Sequence, residues 1–270
     1  MEDSIGVFDS GVGGLTVLDA LQKVLPHESF LYLGDTARVP YGNRTPQTIV
    51  RYALECAHVL VERGVKAIVI ACNTVSAYAL DVLQCNLAVP VFGVIEPVSH
   101  EAAALTQSGT VGLIGTRATV SSGAYARALN RINPKLKLIS VPCPLFASLA
   151  EEAWAEHEVT YLVALQYLKA FQNVAQTPDT LILGCTHYPI LKNAIRRALH
   201  TLQLDMNLCD CADATAMTLK NQLGAMHILS TSSSPGTTAY LVTDAPAPFA
   251  AVGASFMSHA PTDVKHIDIL

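Results

Sequence analysis

At 270 residues the chain can bury a substantial core, as one large domain or two small ones. Its residues are 51% hydrophobic and only 14% charged, which excludes a disordered chain. A formal net charge of -5 with no basic stripe speaks against nucleic acid as a partner. No apolar run reaches the roughly 18 residues of a membrane span, so no membrane partner is expected.

Met1-Glu2-Asp3-Ser4-Ile5 is acidic and enters a strand at once, so it does not read as a signal peptide. The expected location is cytoplasmic, where the seven cysteines stay reduced. Ile5-Gly6-Val7-Phe8 predicts the first strand. It ends in Asp9-Ser10-Gly11-Val12-Gly13-Gly14-Leu15-Thr16, after which Val17, Leu18, Leu21 and Val24 follow a helical pattern. A strand, a glycine-rich turn and a helix suggest a helix start suited to an anion. The spacing is not that of a dinucleotide fingerprint, because Thr16 stands where a third glycine would fall. Gly11, Gly13 and Gly14 are expected to serve a tight turn with positive φ.

Phe30-Leu31-Tyr32-Leu33 predicts the second strand, and the polar loop from Gly34 to Gly42 is long enough to reach over a strand end. A helix begins near Thr45-Pro46, with Ile49, Tyr52, Ala53, Cys56, Val59 and Leu60 on one face. Ala67-Ile68-Val69-Ile70 reads as a strand buried on both faces, closed by Ala71-Cys72-Asn73-Thr74. In open α/β sheets that end of a strand is where ligands bind. A helix from Ser76 to about Leu83 and a fourth strand at Val89–Ile95 follow, and Glu96-Pro97 ends the unit. Strands alternating with helices imply a parallel sheet with right-handed crossovers.

The pattern then restarts. Thr110–Thr116 aligns with Ser4–Ser10, with Thr116 opposite Ser10. Helical segments are expected around Gly123–Arg131 and Leu145–Ala170. Leu181-Ile182-Leu183-Gly184-Cys185-Thr186-His187 then repeats the Cys72 arrangement. The chain reads as two related α/β halves, 1–96 plus 211–270 and 97–210. A helix at Ala212–Leu223 and short runs at Tyr240–Val242 and Val264–Leu270 are expected to complete the first half. Residues 230–238 are a surface loop. Cys56, Cys85 and Cys143 are expected to be buried or structural thiols. Cys209 and Cys211 lack a second Cys/His cluster at zinc spacing, so no metal site is expected.

Two like lobes facing each other would bring Cys72 and Cys185 to opposite walls of one cleft. Disulfide exchange normally uses neighbouring cysteines, and acyl transfer would leave the second thiol idle. Proton transfer at a stereocentre uses both: one group removes a proton from one face and the other returns a proton to the opposite face. A thiol, with an unperturbed pKa of about 8.5, suits this work. His187, two residues after Cys185, and Asp9, closing the strand expected beside that of Cys72, are candidates to tune the thiols. Ser10, Asn73, Thr74, Thr116 and Thr186 offer donors and acceptors for an ammonium and carboxylates, although each alone could serve as a helix N-cap. No lysine stands at these strand ends for a pyridoxal Schiff base, and no Gly-x-x-x-x-Gly-Lys pattern occurs. The chemistry is expected to need no cofactor.

Phe8–Gly14, Val39-Pro40-Tyr41-Gly42-Asn43, Ala71–Thr74, Gly93–Pro97 and Leu183–Pro189 together resemble the motif set of the glutamate racemases. These form part of the cofactor-independent aspartate/glutamate racemase family. The motifs occur in order and at family-like spacing over nearly the whole chain. The resemblance implies an α/β fold of two similar, pseudo-symmetric lobes, each a mainly parallel sheet flanked by helices, with the active site in the cleft between them. It implies interconversion of L- and D-glutamate, supplying D-glutamate for peptidoglycan in the cell wall. Cys72 would take the proton from D-glutamate and Cys185 from L-glutamate, assisted by Asp9 and His187. Asp9-Ser10, Pro40-Tyr41-Gly42, Asn73-Thr74 and Thr186-His187 would hold the substrate, with Thr116 and Thr119 nearby. Glu151 matches an acidic position with a supporting role; Glu152 follows it and is a second candidate. A homodimer is expected. An aspartate racemase or related two-cysteine isomerase, and a non-catalytic amino-acid binder on the same scaffold, stay open as alternatives. The forms of the Asp9 and Cys185 motifs favour glutamate, and a pure binder has no use for paired thiols.

Overall fold

The computed structural model describes residues 3–269. Met1 and Glu2 of the acidic N-terminus and Leu270 of the last apolar run lie outside the described residues.

The chain opens with β1 (Ile5–Asp9), α1 (Leu15–Val24), β2 (Phe30–Gly34) and α2 (Pro46–Glu62). It continues through β3 (Ala67–Ile70), α3 (Asn73–Asn86), β4 (Val91–Gly93) and α4 (Ile95–Leu105). Next come β5 (Thr110–Gly115), α5 (Arg117–Ser121), α6 (Ala124–Ile132) and β6 (Lys137–Pro142). They are followed by α7 (Leu145–Glu151), α8 (Glu158–Leu168), β7 (Thr180–Gly184) and α9 (Lys192–Thr201). The chain closes with β8 (Asn207–Asp210), α10 (Cys211–Ala225), β9 (Thr238–Val242), α11 (Pro246–Gly253) and β10 (Val264–His266).

Two parallel sheets result. One is six-stranded in the order β10-β9-β2-β1-β3-β4, the other four-stranded in the order β6-β5-β7-β8. The segment β2-β1-β3-β4 of the first repeats as β6-β5-β7-β8 in the second, so the alignment of Ser4–Ser10 with Thr110–Thr116 matches the central strand of each sheet. The two late strands join the first sheet, β9 beside β2 and β10 outside it. Among the described residues no helix is long and apolar enough to cross a membrane.

Period-two alternation explains why the central strands are apolar throughout. Ile5 and Val7 of β1 enter one hydrophobic cluster and Phe8 another; Tyr32 and Leu33, or Val69 and Ile70, divide the same way. The first cluster also holds Val111, Leu113, Leu181 and Ile182 of the second sheet, so it is continuous between the two sheets. Helices α1, α4 and α10 pack on one another there: α10 against α1 and α4, and α4 against β7 and β8.

Several expectations are corrected. Cys72 is itself the N-cap of α3, so that helix starts three residues before Ser76 and runs on to Asn86. The fourth strand shortens to Val91–Gly93, and Glu96-Pro97 lies in the first turn of α4 instead of ending the unit. Proline is compatible there because a first-turn N–H has no partner within the helix. Leu145–Ala170 divides into α7 and α8 at Glu152–His157, where Ala153 takes a positive φ. The edge strands β6 and β8 carry no clear signal: β6 is half-exposed and ends in proline, and β8 has only four residues. Cys85 is exposed, whereas Cys56 and Cys143 are buried.

The glycines after β1 serve a different purpose from the one expected. None of Gly11, Gly13 and Gly14 has positive φ; in the described chain the glycines that do are Gly64, Gly109 and Gly123. A Cβ on Gly13 would sit 2.4 Å from both the His187 ring and Thr186 Oγ1, and one on Gly14 would sit 2.5 Å from Asp9 Cβ. These residues are glycine because the start of α1 presses against the functional loops of both sheets.

Candidate active site

The C-terminal ends of four strands meet at one cavity of ≈260 Å³. Such a volume lies at the small end for ligand sites and suits one amino acid. From the first sheet come Ser10 after β1 and Cys72, Asn73 and Thr74 after β3; from the second come Thr116 after β5 and Cys185, Thr186 and His187 after β7. The loop after β2 brings Pro40, Tyr41 and Gly42 to the wall. Both thiols line the cavity while almost buried, Cys72 at 6% exposure and Cys185 at 7%.

The two thiols have unlike surroundings. Cys185 Sγ lies 3.7 Å from His187 Nδ1, and His187 Nε2 lies 2.8 Å from Glu151 Oε1. Burial alone would depress the imidazole pKa, but hydrogen bonds to Cys185 and Glu151 outweigh it and push His187 up to about 10. These two partners favour the imidazolium form of His187. Phe256 covers its ring edge-on at 5.4 Å between centroids. Cys72 has no histidine. Burial, with the Asp9 charge in addition, pushes its thiol up to about 12, against a hydrogen bond with Ser10 Oγ at 3.5 Å. Cys72 thus rests as a protonated thiol.

Asp9 is 1% exposed and stands behind the cavity wall. Its Oδ2 accepts from the Gly11 N–H at 2.9 Å, and Oδ1 has no hydrogen-bond partner. Burial raises its pKa, opposed by the nearby His187. The helix start expected to suit an anion therefore holds the chain's own carboxylate. Thr119 also stands behind the wall. The hydroxyls of Thr74, Thr116 and Thr119 form a triangle of 3.0, 3.1 and 2.9 Å sides that joins the two lobes. Thr116 also caps α5, accepting from the Thr119 N–H at 3.1 Å.

The Tyr41 hydroxyl donates to Asp35, which also accepts from Arg38 Nε at 2.6 Å and Thr243 Oγ1 at 2.9 Å. Asp35 is fully buried, so this network anchors the cavity loop to the end of β9. Of the two glutamate candidates, Glu151 reaches His187, while Glu152 is the exposed C-cap of α7.

Sequence reasoning missed Val39, Asn43, Arg117, Pro144, Ala147 and Ser148, which also line the cavity. A signal existed for α7: Pro144, Ala147, Ser148 and Glu151 have the spacing of one helix face. Arg117 directly follows Thr116 and could have been read as a cation at a strand end.

Residues 15–219 match the family model described as Asp/Glu/Hydantoin racemase. Glutamate racemase from Geobacter metallireducens is 48% identical over 266 residues, covering 98% of this chain and 97% of that protein. Among solved structures, glutamate racemase isoform RacE1 from Bacillus anthracis superposes with a TM-score of 0.93 at 34% identity, covering 99% of this chain and 98% of that one. Glutamate racemase from Francisella tularensis subsp. tularensis in complex with D-glutamate gives a TM-score of 0.91 at 38% identity, with the same coverage.

Proposed function

The chain belongs to the Asp/Glu/Hydantoin racemase family, and from that membership we propose that it interconverts L- and D-glutamate by two-base proton transfer between Cys72 and Cys185. One observation carries the reading: two thiols from equivalent strand ends of two like sheets line one amino-acid-sized cavity.

In the L-to-D direction, Cys185 acts as thiolate and takes the α-proton. His187, an imidazolium held by Glu151, supports that thiolate by charge and hydrogen bonding. Cys72, a protonated thiol, delivers its proton to the opposite face of the α-carbon. Deprotonation drives negative charge onto the substrate carboxylate. The hydroxyls of Ser10, Thr74 and Thr186 line the cavity as donors to that developing charge, and the Asn73 amide as a donor that binds the substrate carboxylate. In the D-to-L direction the roles exchange: Cys72 must first lose its proton. The Asp9 charge alone disfavours the Cys72 thiolate, so the role of the buried Asp9 carboxyl, with its raised pKa and one oxygen without a partner, is that of a proton acceptor. The product D-glutamate would serve peptidoglycan synthesis, the use implied by the resemblance to the glutamate racemases.

Incubating the purified protein with L-glutamate, with a chelator and a carbonyl reagent present and no added cofactor, tests the reading. The circular dichroism of the amino acid is expected to decay to zero, with no comparable decay for L-aspartate. Binding of glutamate without loss of optical activity overturns the enzyme reading. Turnover of aspartate alone overturns the substrate.

A further inference from the structure

Asn73 is 2% exposed and lines the cavity beside Cys72. Its Oδ1 accepts from the Tyr125 hydroxyl at 2.5 Å and from the Cys211 thiol at 3.3 Å. Its Nδ2 is buried and has no partner within the protein. Two donors converge on one end of the amide, and the end left over is a donor.

Both partners come from outside the cavity wall. Tyr125 lies on α6 at 1% exposure and Cys211 opens α10 at 2%. They are 3.4 Å apart, and Cys211 Sγ lies 3.5 Å from the Leu183 carbonyl in the strand that leads to Cys185. The Tyr125 ring runs along the same strand, where a Cβ on Gly184 would sit 3.4 Å from Tyr125 Cε2. The amide next to one thiol is therefore held by a cluster attached to the strand of the other.

We propose that Tyr125 and Cys211 are positioning residues that hold the Asn73 amide by its Oδ1 beside Cys72, leaving Nδ2 to donate to a carboxylate oxygen of the substrate. A side-chain amide has two orientations of nearly equal shape and opposite hydrogen-bonding sense. Turned over, Asn73 would present an acceptor to the cavity, which suits an ammonium and repels a carboxylate. The turn would also break the Tyr125–Asn73 hydrogen bond as it stands, and the hydroxyl and thiol would have to reverse their protons to accept from an NH₂ group. The inference rests on the racemase reading and extends it to residues that substrate does not touch.

Steady-state kinetics on Tyr125→Phe, Cys211→Ala, Asn73→Ala and the Asn73→Ala/Tyr125→Phe double variant test it. Tyr125→Phe is expected to raise KM for L-glutamate roughly tenfold while kcat changes less than about twofold, the signature of lost uniform binding. In the Asn73→Ala background the same substitution should add no further rise. Cys211→Ala is expected to raise KM by a smaller factor, and it carries the test if Tyr125→Phe does not fold. Unchanged KM in the folded variants overturns the proposal. So does a rise that simply adds to that of Asn73→Ala, because additivity means Tyr125 acts independently of the amide. If the wild type fails to racemise glutamate, the functional reading fails instead; the dissociation constant for glutamate then replaces KM, and the same comparison decides the proposal.

Discussion

His187 is the residue in which the two halves of the site differ most. Its neighbours Cys185 and Glu151 push its pKa up to about 10 from an ordinary 6.5, against the effect of burial. A raised pKa has a definite sign in stability: the native state binds the proton more tightly than the unfolded chain. The stabilisation is fully present below about pH 6.5 and is lost as pH rises through about 10. Chemical denaturation of wild type and His187→Asn across that window should show the stability gap widest near pH 6 and shrinking towards pH 10. A gap independent of pH would mean the imidazole is not charged in the native state. In turnover, His187→Asn should lower kcat by roughly 10²–10⁴, the usual cost of a lost acid/base aid. Much of this scale was legible beforehand. A histidine two positions from a cysteine and an aspartate closing the adjacent strand suggested tuning groups. What could not be read was depth: Asp9 and Thr119 stand behind the wall, and the period of a strand or helix says which side a residue faces and not what covers it.

The loop between β1 and α1 shows what an element contributes. Read as a turn requiring positive φ, its glycines turn out to be needed for close approach across the molecule, which no local pattern encodes. At Gly13 a methyl group would meet His187 Nδ1, the atom that faces Cys185 Sγ, at 2.4 Å. Gly13→Ala should therefore displace the imidazole from the thiol. It is expected to cost about 1–3 kcal/mol of stability, as overpacking does, and to reduce kcat by roughly a hundredfold. Thermal denaturation and kinetics on that variant check both halves; a fully active, stable Gly13→Ala protein would mean the loop can move away freely. The α3 helix began earlier than its apolar periodicity suggested, because Cys72 caps it directly with no intervening loop. A strand that passes straight into a helix leaves no turn residues to read. The edge strands β6 and β8 were invisible for a related reason: partial exposure and short length remove the apolar run that marks a central strand.

At the scale of the whole molecule, the strand order β2-β1-β3-β4 of one sheet recurs as β6-β5-β7-β8 in the other. The repeat was visible in the sequence because each half keeps the same pairing of an apolar strand with a thiol or hydroxyl at its end. It brings Ser10 and Thr116, and Cys72 and Cys185, to one cavity between the sheets. Contacts across the cavity are polar and close: the threonine triangle, the Tyr125–Asn73 hydrogen bond, and the Thr16 hydroxyl 3.0 Å from the Thr186 carbonyl. These join the two lobes around the cavity that both thiols line. The central claim is that each thiol serves one face of the α-carbon, and isotope placement early in the reaction tests it. L-glutamate would be incubated in D₂O and quenched at low conversion, and the two enantiomers separated and examined by NMR. The account predicts that the D-glutamate formed carries α-deuterium, delivered by Cys72 from solvent, while the unreacted L-glutamate keeps its α-protium. Deuterium appearing as fast in recovered L-glutamate as in D-glutamate, or protium carried over into the product, would point to a single base and contradict the account.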